Sequence, residues 1–176
     1  MRNLILLSFF LIASNGSFAQ PGDSKEKLKS VDFLIGTWDV DVDARLSLNG
    51  PWEKSKGTSV IRKTLNSSLV EEEFVGTREG RPFLSKTLFA INNMTDKIQR
   101  VFIDAPHGVL LDFEGLLMND SLVFNKTWKY ANGNSVDLGV TYKKLSPNSF
   151  IVTSMRMPNG ATSWDITGRM IYTRAK

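Results

Sequence analysis

The sequence predicts an all-β fold, an up-and-down antiparallel β-barrel of about ten strands preceded by a short N-terminal helix. Three observations lead there. Beyond Gly36 the chain breaks into short runs rich in Val, Ile, Phe, Thr and Tyr, divided by turn signals every 8–12 residues or so. The first run, within "DFLIGTWDVDVDARLSL", alternates strictly: Trp38, Val40, Val42, Ala44 and Leu46 against Asp39, Asp41, Asp43, Arg45 and Ser47, as a half-buried strand requires. The chain also holds no second helical layer to cover an open sheet. A meander of about ten strands would leave two aggregation-prone edges unless it closes on itself. A two-sheet sandwich is the rival arrangement.

The N-terminal residues stand apart from the fold. In "MRNLILLSFFLIASNGSFAQ", Arg2 supplies a positive start, Leu4 to Ala13 an apolar run, and Ser17-Phe18-Ala19 a small-x-small cleavage site before Gln20. Residues 1–19 therefore read as a signal peptide, the run being too short for a stable span of about 20 apolar residues. With no cysteine in the chain, no disulfide can staple the domain and no lipid-bearing thiol exists. The expected product is exported, periplasmic or secreted, soluble and not a lipoprotein. Loss of Arg2 leaves 21 basic against 18 acidic residues, a net charge of +3. The lysines are scattered, without the basic stripe and interleaved aromatics that nucleic-acid binding needs.

Residues 20–30 read as a linker and the start of a helix, and residues 31–176 as one domain. Ser24 is a candidate N-cap, Leu28, Val31, Phe33 and Leu34 a narrow apolar side, and Gly36 the stop. Strands are predicted at 37–48, 57–65, 68–76, 83–92, 97–104, 109–117, 121–130, 135–145, 149–157 and 163–174. The connections are "NGP", "REGRP", "NNMTD", "APHG", "MND", "ANGN", "SPN" and "PNG", rich in residues that tolerate the positive φ of tight hairpins. Such short links force neighbouring strands to run antiparallel.

Several later strands have mixed faces. Glu72 lies with Val70 and Phe74; Arg100 and Asp104 lie with Ile98 and Phe102; Lys126, Trp128 and Tyr130 lie with Leu122 and Phe124. A lumen with aromatic walls and a few fixed polar groups gives this pattern; so do ordinary exposed apolar residues. Charge turned inward must be paired, which makes Glu72, Arg100 and Arg156 a candidate paired interior set. Trp52, Trp128, Trp164, Phe102 and Tyr142 are the aromatics to test as lining, with core packing as the alternative.

At Gly36-Thr37-Trp38 the chain resembles the calycin superfamily of lipocalins and fatty-acid-binding proteins. That resemblance implies that Trp38 closes one barrel end under an arginine of the last strand, Arg169 or Arg174 in "GRMIYTRAK". "LIGTWDV", "REGRPF", "KIQRVFIDAPHGVLLDFEG", "SPNSFIVTSMRMPNG" and "IYTR" extend it over residues 31–174. Together they resemble the secreted bacterial lipocalin-like proteins grouped as domain of unknown function family 1579. The implication is a lipocalin-like barrel, with no agreed activity attached.

His107, in "DAPHG", is the sole histidine. No second histidine completes a metal site and no serine or cysteine context completes a triad. A haem-binding barrel of the calycin group would place its histidine near the C-terminus, and "TSWDITGRMIYTRAK" has none. Asp104 is either a turn cap or, with His107, an acid/base pair at the barrel mouth. Glu71 and Glu73 share one strand face and Glu72 takes the other. Asp39, Asp41 and Asp43 line one face about 7 Å apart, which suits a solubilising, anti-aggregation surface better than a metal site. No metal and no cofactor is expected.

The expected function is non-catalytic binding of a small hydrophobic or amphipathic molecule, without nucleic acid and without a membrane span. Trp38, Glu72, Arg100, Phe102, Trp128, Tyr142 and Arg156 form the candidate ligand-binding set. Two alternatives stand beside it. One is a cavity enzyme of isomerase, cyclase or hydrolase type with acid/base residues at the mouth, Asp104 with Arg100 or His107. The other is a structural or interaction barrel of the cell envelope with a filled interior.

Overall fold

A computed structural model describes residues 27–176 apart from 46, 48 and 79; the expected signal peptide and the Ser24 cap lie outside the described residues. Ten antiparallel strands form a closed barrel in chain order: β1 (Gly36–Ala44), β2 (Glu53–Thr64), β3 (Leu69–Arg78), β4 (Arg81–Asn92), β5 (Lys97–Asp104), β6 (Val109–Met118), β7 (Ser121–Lys129), β8 (Ser135–Ser146), β9 (Ser149–Pro158) and β10 (Asp165–Arg174). β1 pairs with β10 from Trp38 opposite Arg174 to Ala44 opposite Gly168. The sandwich is thereby ruled out, and no strand edge is left along that seam.

The helix is a short 3-10 helix, Lys29–Leu34. Three residues per turn put every third side chain on one face, so Leu28, Val31 and Leu34 are all buried. That face seals the barrel end reached by the β2–β3, β4–β5, β6–β7 and β8–β9 connections. Asp32 ties the helix to Lys63 at 2.7 Å, and Lys27 pairs with Asp96 of the β4–β5 turn. Phe33 meets Phe150 edge-on at 6.0 Å.

Trp38 sits just inside this seal. It is buried, donates Nε1–H to the Leu34 carbonyl at 2.8 Å and packs edge-on against Phe150 at 4.9 Å. The Arg174 guanidinium covers the indole, its carbon 4.4 Å from the ring centroid, and donates to the Ile35 carbonyl at 3.3 Å. Gly36 makes room for it: its φ is +148°, and a Cβ there would lie 2.4 Å from Arg174 Nη1. Arg169 falls on the opposite face of β10 and lies over Trp52 instead, at 5.8 Å. Parity decides between the two arginines, because Arg174 shares the inward face of Tyr172 and Arg169 does not.

The opposite end, where β1, β3, β5, β7 and β9 finish, is open. β1 ends at Ala44 rather than at residue 48, and β2 begins at Glu53 rather than at 57. Leu46 and Leu48, expected to continue the strand, lie outside the described residues. The β6–β7 ladder covers only Glu114–Met118 against Ser121–Asn125, so the two strands splay toward the open end. Lys126 reaches across that gap to Asp112.

Candidate functional site

The barrel interior is layered. Trp38, Ile61, Val70, Phe89, Leu122, Phe124 and Phe150, all buried, fill the closed end. Above them lies a polar layer: Ser59, Glu72, Thr87, Arg100, Tyr142 and Tyr172, each brought inward by the two-residue period of its strand and each at most 6% exposed. Glu72 Oε1 accepts hydrogen bonds from Ser59 Oγ at 2.9 Å and from the Tyr172 hydroxyl at 2.8 Å. Arg100 donates Nε–H to the Tyr142 hydroxyl at 2.8 Å. Its guanidinium carbon stands 5.1 Å from the rings of both Phe102 and Phe113, within cation–π range.

This layer keeps its phenols protonated. Burial, opposed in part by the Arg100 charge, pushes Tyr142 up to about 12. Burial and then the nearby Glu72 carboxylate raise Tyr172 well above the ordinary phenol value.

The polar layer floors a chamber of about 350 Å³ lined by Phe74, Phe83, Phe102, Leu111, Phe113, Leu138, Val140, Val152 and Met170, with Arg45, Arg78, Arg100 and Arg156 among them. A wider vestibule of about 630 Å³ shares Arg45, Phe74, Arg78 and Phe83 with it and continues to the open end past Glu53, Lys54 and Gly80. Space for the chamber comes partly from glycine. Gly57 and Gly76 pair across β2 and β3, and a Cβ on either would lie 2.5 or 2.7 Å from the Phe74 ring. The ring therefore lies close against the wall.

Glu72, Arg100 and Arg156 all line this chamber, but no ion pair joins them among the described residues. Hydroxyls satisfy Glu72 and a phenol satisfies Arg100, whereas Arg156 Nε is buried without a hydrogen-bond partner. Phe102 and Tyr142 are lining residues. Trp38 and Trp128 are not: Trp38 lies beneath the polar layer, and Trp128 stands where β7 has parted from β6. Trp52 and Trp164 are 40% and 41% exposed, set in the loops around the open end. Trp52 lies under Arg45, at 5.1 Å.

Asp104 is buried and acts as a cap. Its Oδ1 accepts from the His107 backbone N–H at 3.3 Å and contacts His107 Nδ1 at 2.9 Å, while Oδ2 accepts from Arg78 Nη1 at 3.3 Å. The His107 side chain is 57% exposed, and neither residue lines the chamber or the vestibule. Glu71 and Glu73 face outward and are held by cations of the adjoining strands. Lys86 stands 2.9 Å from Glu71 and 3.1 Å from Glu73, and Arg62 stands 3.2 Å from Glu71. No cluster of three or more His, Asp or Glu positioned to hold a metal occurs among the described residues.

A family model described as protein of unknown function (DUF1579) matches residues 20–174. The chain belongs to that family. No curated protein matches it. Among solved structures, this DUF1579 chain is similar to the S-type phycobiliprotein lyase CPES from Guillardia theta, with 11% identity, 87% of this chain and 93% of that chain covered, and a TM-score of 0.59. It is also similar to EF1p2_mFAP2b bound to DFHBI, with 13% identity, 84% and 98% covered and a TM-score of 0.46. A redesigned β-barrel, mFAP1, bound to DFHBI gives 15% identity, 82% and 98% covered and 0.45. At 11% identity the likeness to the lyase is one of fold. The barrel is lipocalin-like, as the Gly-x-Trp opening implied.

Sequence reasoning missed Arg45, Arg78, Ser59 and Tyr172 as interior residues of this DUF1579 barrel. Arg78 was legible, since it keeps the parity of Phe74 and Gly76 once β3 runs to its end. Tyr172 likewise follows Met170. Arg45 was not, because the alternation of β1 assigns it to the outer face; the strand stops one residue earlier, and its side chain lines the cavity.

Proposed function

We propose that the protein is an exported, non-catalytic barrel that takes a small hydrophobic or amphipathic molecule into its lumen through the open end. The observation that carries this reading is the chamber of about 350 Å³. It exceeds the roughly 300 Å³ at which ligand pockets begin, and it combines apolar walls with a few fixed polar groups. A structural barrel with a filled interior would have neither feature. The acid/base alternative loses ground because Asp104 is occupied as a cap and stands outside the chamber lining. Export rests on the charged start, apolar run and cleavage site in residues 1–19. No helix among the described residues is long and apolar enough to cross a membrane.

Native mass spectrometry of the protein purified from its exported location, followed by solvent extraction, tests the reading. The expected result is a mature chain beginning at Gln20 that retains one intact small molecule released on denaturation. A chemically altered molecule released in repeated turnovers would replace carriage with catalysis. A chain still beginning at Met1 would remove export.

A further inference from the structure

The charges inside the barrel do not balance, and the imbalance is local. Arg78 is neutralised by Asp104 at 3.3 Å, and Arg45 stands toward the mouth with its Nε–H donated to the Ile166 carbonyl at 3.0 Å. Arg100, in the polar floor, and Arg156, nearer the open end and opposite Asp165 of β10, reach into the chamber from β5 and β9, and Glu72 is the single carboxylate among its lining residues. Glu72 already accepts two hydrogen bonds from hydroxyls. Arg100 is 6% exposed, and its hydrogen-bond and cation–π partners are a phenol and aromatic faces, none of which carries a full negative charge. Arg156 Nε is buried with no acceptor. Buried cations and donors are expensive unless a partner completes them, and guanidinium groups match planar anions through paired N–H bonds. No ion pair holds Arg100 or Arg156 among the described residues, and Glu72 is the one carboxylate that lines the chamber with them.

Resting on the carrier reading above, we infer that the chamber selects a monoanionic amphipath, with its single anionic head group between Arg100 and Arg156 and its apolar body against Phe74, Phe83 and Met170. Arg156 supplies the unmatched donor. Arg100, already fixed by Tyr142 and two phenyl rings, supplies pre-positioned charge. Pre-positioning lowers the ordering cost of binding. Glu72, on the same floor, repels a second negative charge and so sets the limit at one.

Isothermal titration calorimetry with three ten-carbon probes tests this: decanoate, 1-decanol and decyltrimethylammonium. Decanoate is expected to bind at least about tenfold more tightly than 1-decanol, as one charge-assisted pair allows, with the cation weakest. In Arg156→Gln the ratio of decanoate to decanol affinity should fall close to one, while Arg156→Lys should keep part of it. Near-ultraviolet circular dichroism monitors the folding of both variants; if Arg156→Gln does not fold, the wild-type probe series and Arg156→Lys still decide. Equal binding of decanoate and 1-decanol by the wild-type protein, or an unchanged ratio in folded Arg156→Gln, overturns the anion selectivity and leaves the carrier reading intact. Failure of all three probes to bind overturns both.

Discussion

Arg174 and Gly36 show how one contact explains a short motif. Glycine stands two residues before Trp38 because the guanidinium that covers the indole passes where a Cβ would be. Arg174 also donates to the Ile35 carbonyl just past the helix, so it joins the seal to the first strand. Arg174→Met keeps the apolar stem but removes the charge and the donor. It is expected to lower stability by about 1–2 kcal/mol in urea unfolding, with a red-shifted Trp38 emission. A fall within experimental error would show that the indole is held by Phe150 and Leu34 alone. The buried phenols make a second prediction at this scale. From about pH 10, where an ordinary phenol ionises, up to about 12 for Tyr142, the unfolded chain gives up protons that the folded chain keeps. Stability therefore falls as pH rises through that window. Tyr142→Phe should flatten this alkaline limb of the unfolding curve; an unchanged limb would mean that the Tyr142 phenol ionises alike in both states.

At the scale of the element, β3 shows two faces with separate tasks. Its inward residues Val70, Glu72, Phe74 and Arg78 build core, polar layer, chamber wall and mouth in turn. Its outward Glu71 and Glu73 form a cross-strand ladder with Arg62 of β2 and Lys86 of β4. The hydrogen bond from Lys86 holds the Glu71 carboxyl below its ordinary range, although partial burial opposes it. A lowered acid contributes stability that is present above its unfolded-state value and fades as pH falls through its folded one. Glu71→Gln should therefore remove part of the acid-limb slope while lowering Tm by no more than about 2 °C at neutral pH, since exposed ion pairs contribute little. A large loss at neutral pH would assign Glu71 a packing role that its position denies. The same two-residue period that makes β3 bifunctional also made Glu72 legible as an inward residue, since it falls between two outward neighbours.

On the scale of the whole molecule, the sequence determined the strands, their order and the closed form. Alternation and hairpin chemistry are local, and a long uncovered meander has few stable ways to end. All ten strands lie where the runs and turns place them to within four residues at either end, the largest differences being the end of β1, which stops short of Arg45, and the start of β2. The inward placement of Glu72, Arg100 and Arg156 was legible for the same reason. Their partners were not. Glu72 meets Ser59 and Tyr172, which are 13 and 100 residues away, and Arg100 meets Tyr142 at a separation of 42. Those meetings depend on the stagger with which ten strands close, a quantity carried by the summed register of every pair and by no single strand. The turning of Arg45 into the cavity and the space that Gly57 and Gly76 leave for Phe74 were likewise decided only by tertiary structure. The physical reason is one of range: periodicity fixes which face a side chain takes, whereas closure fixes what it finds there.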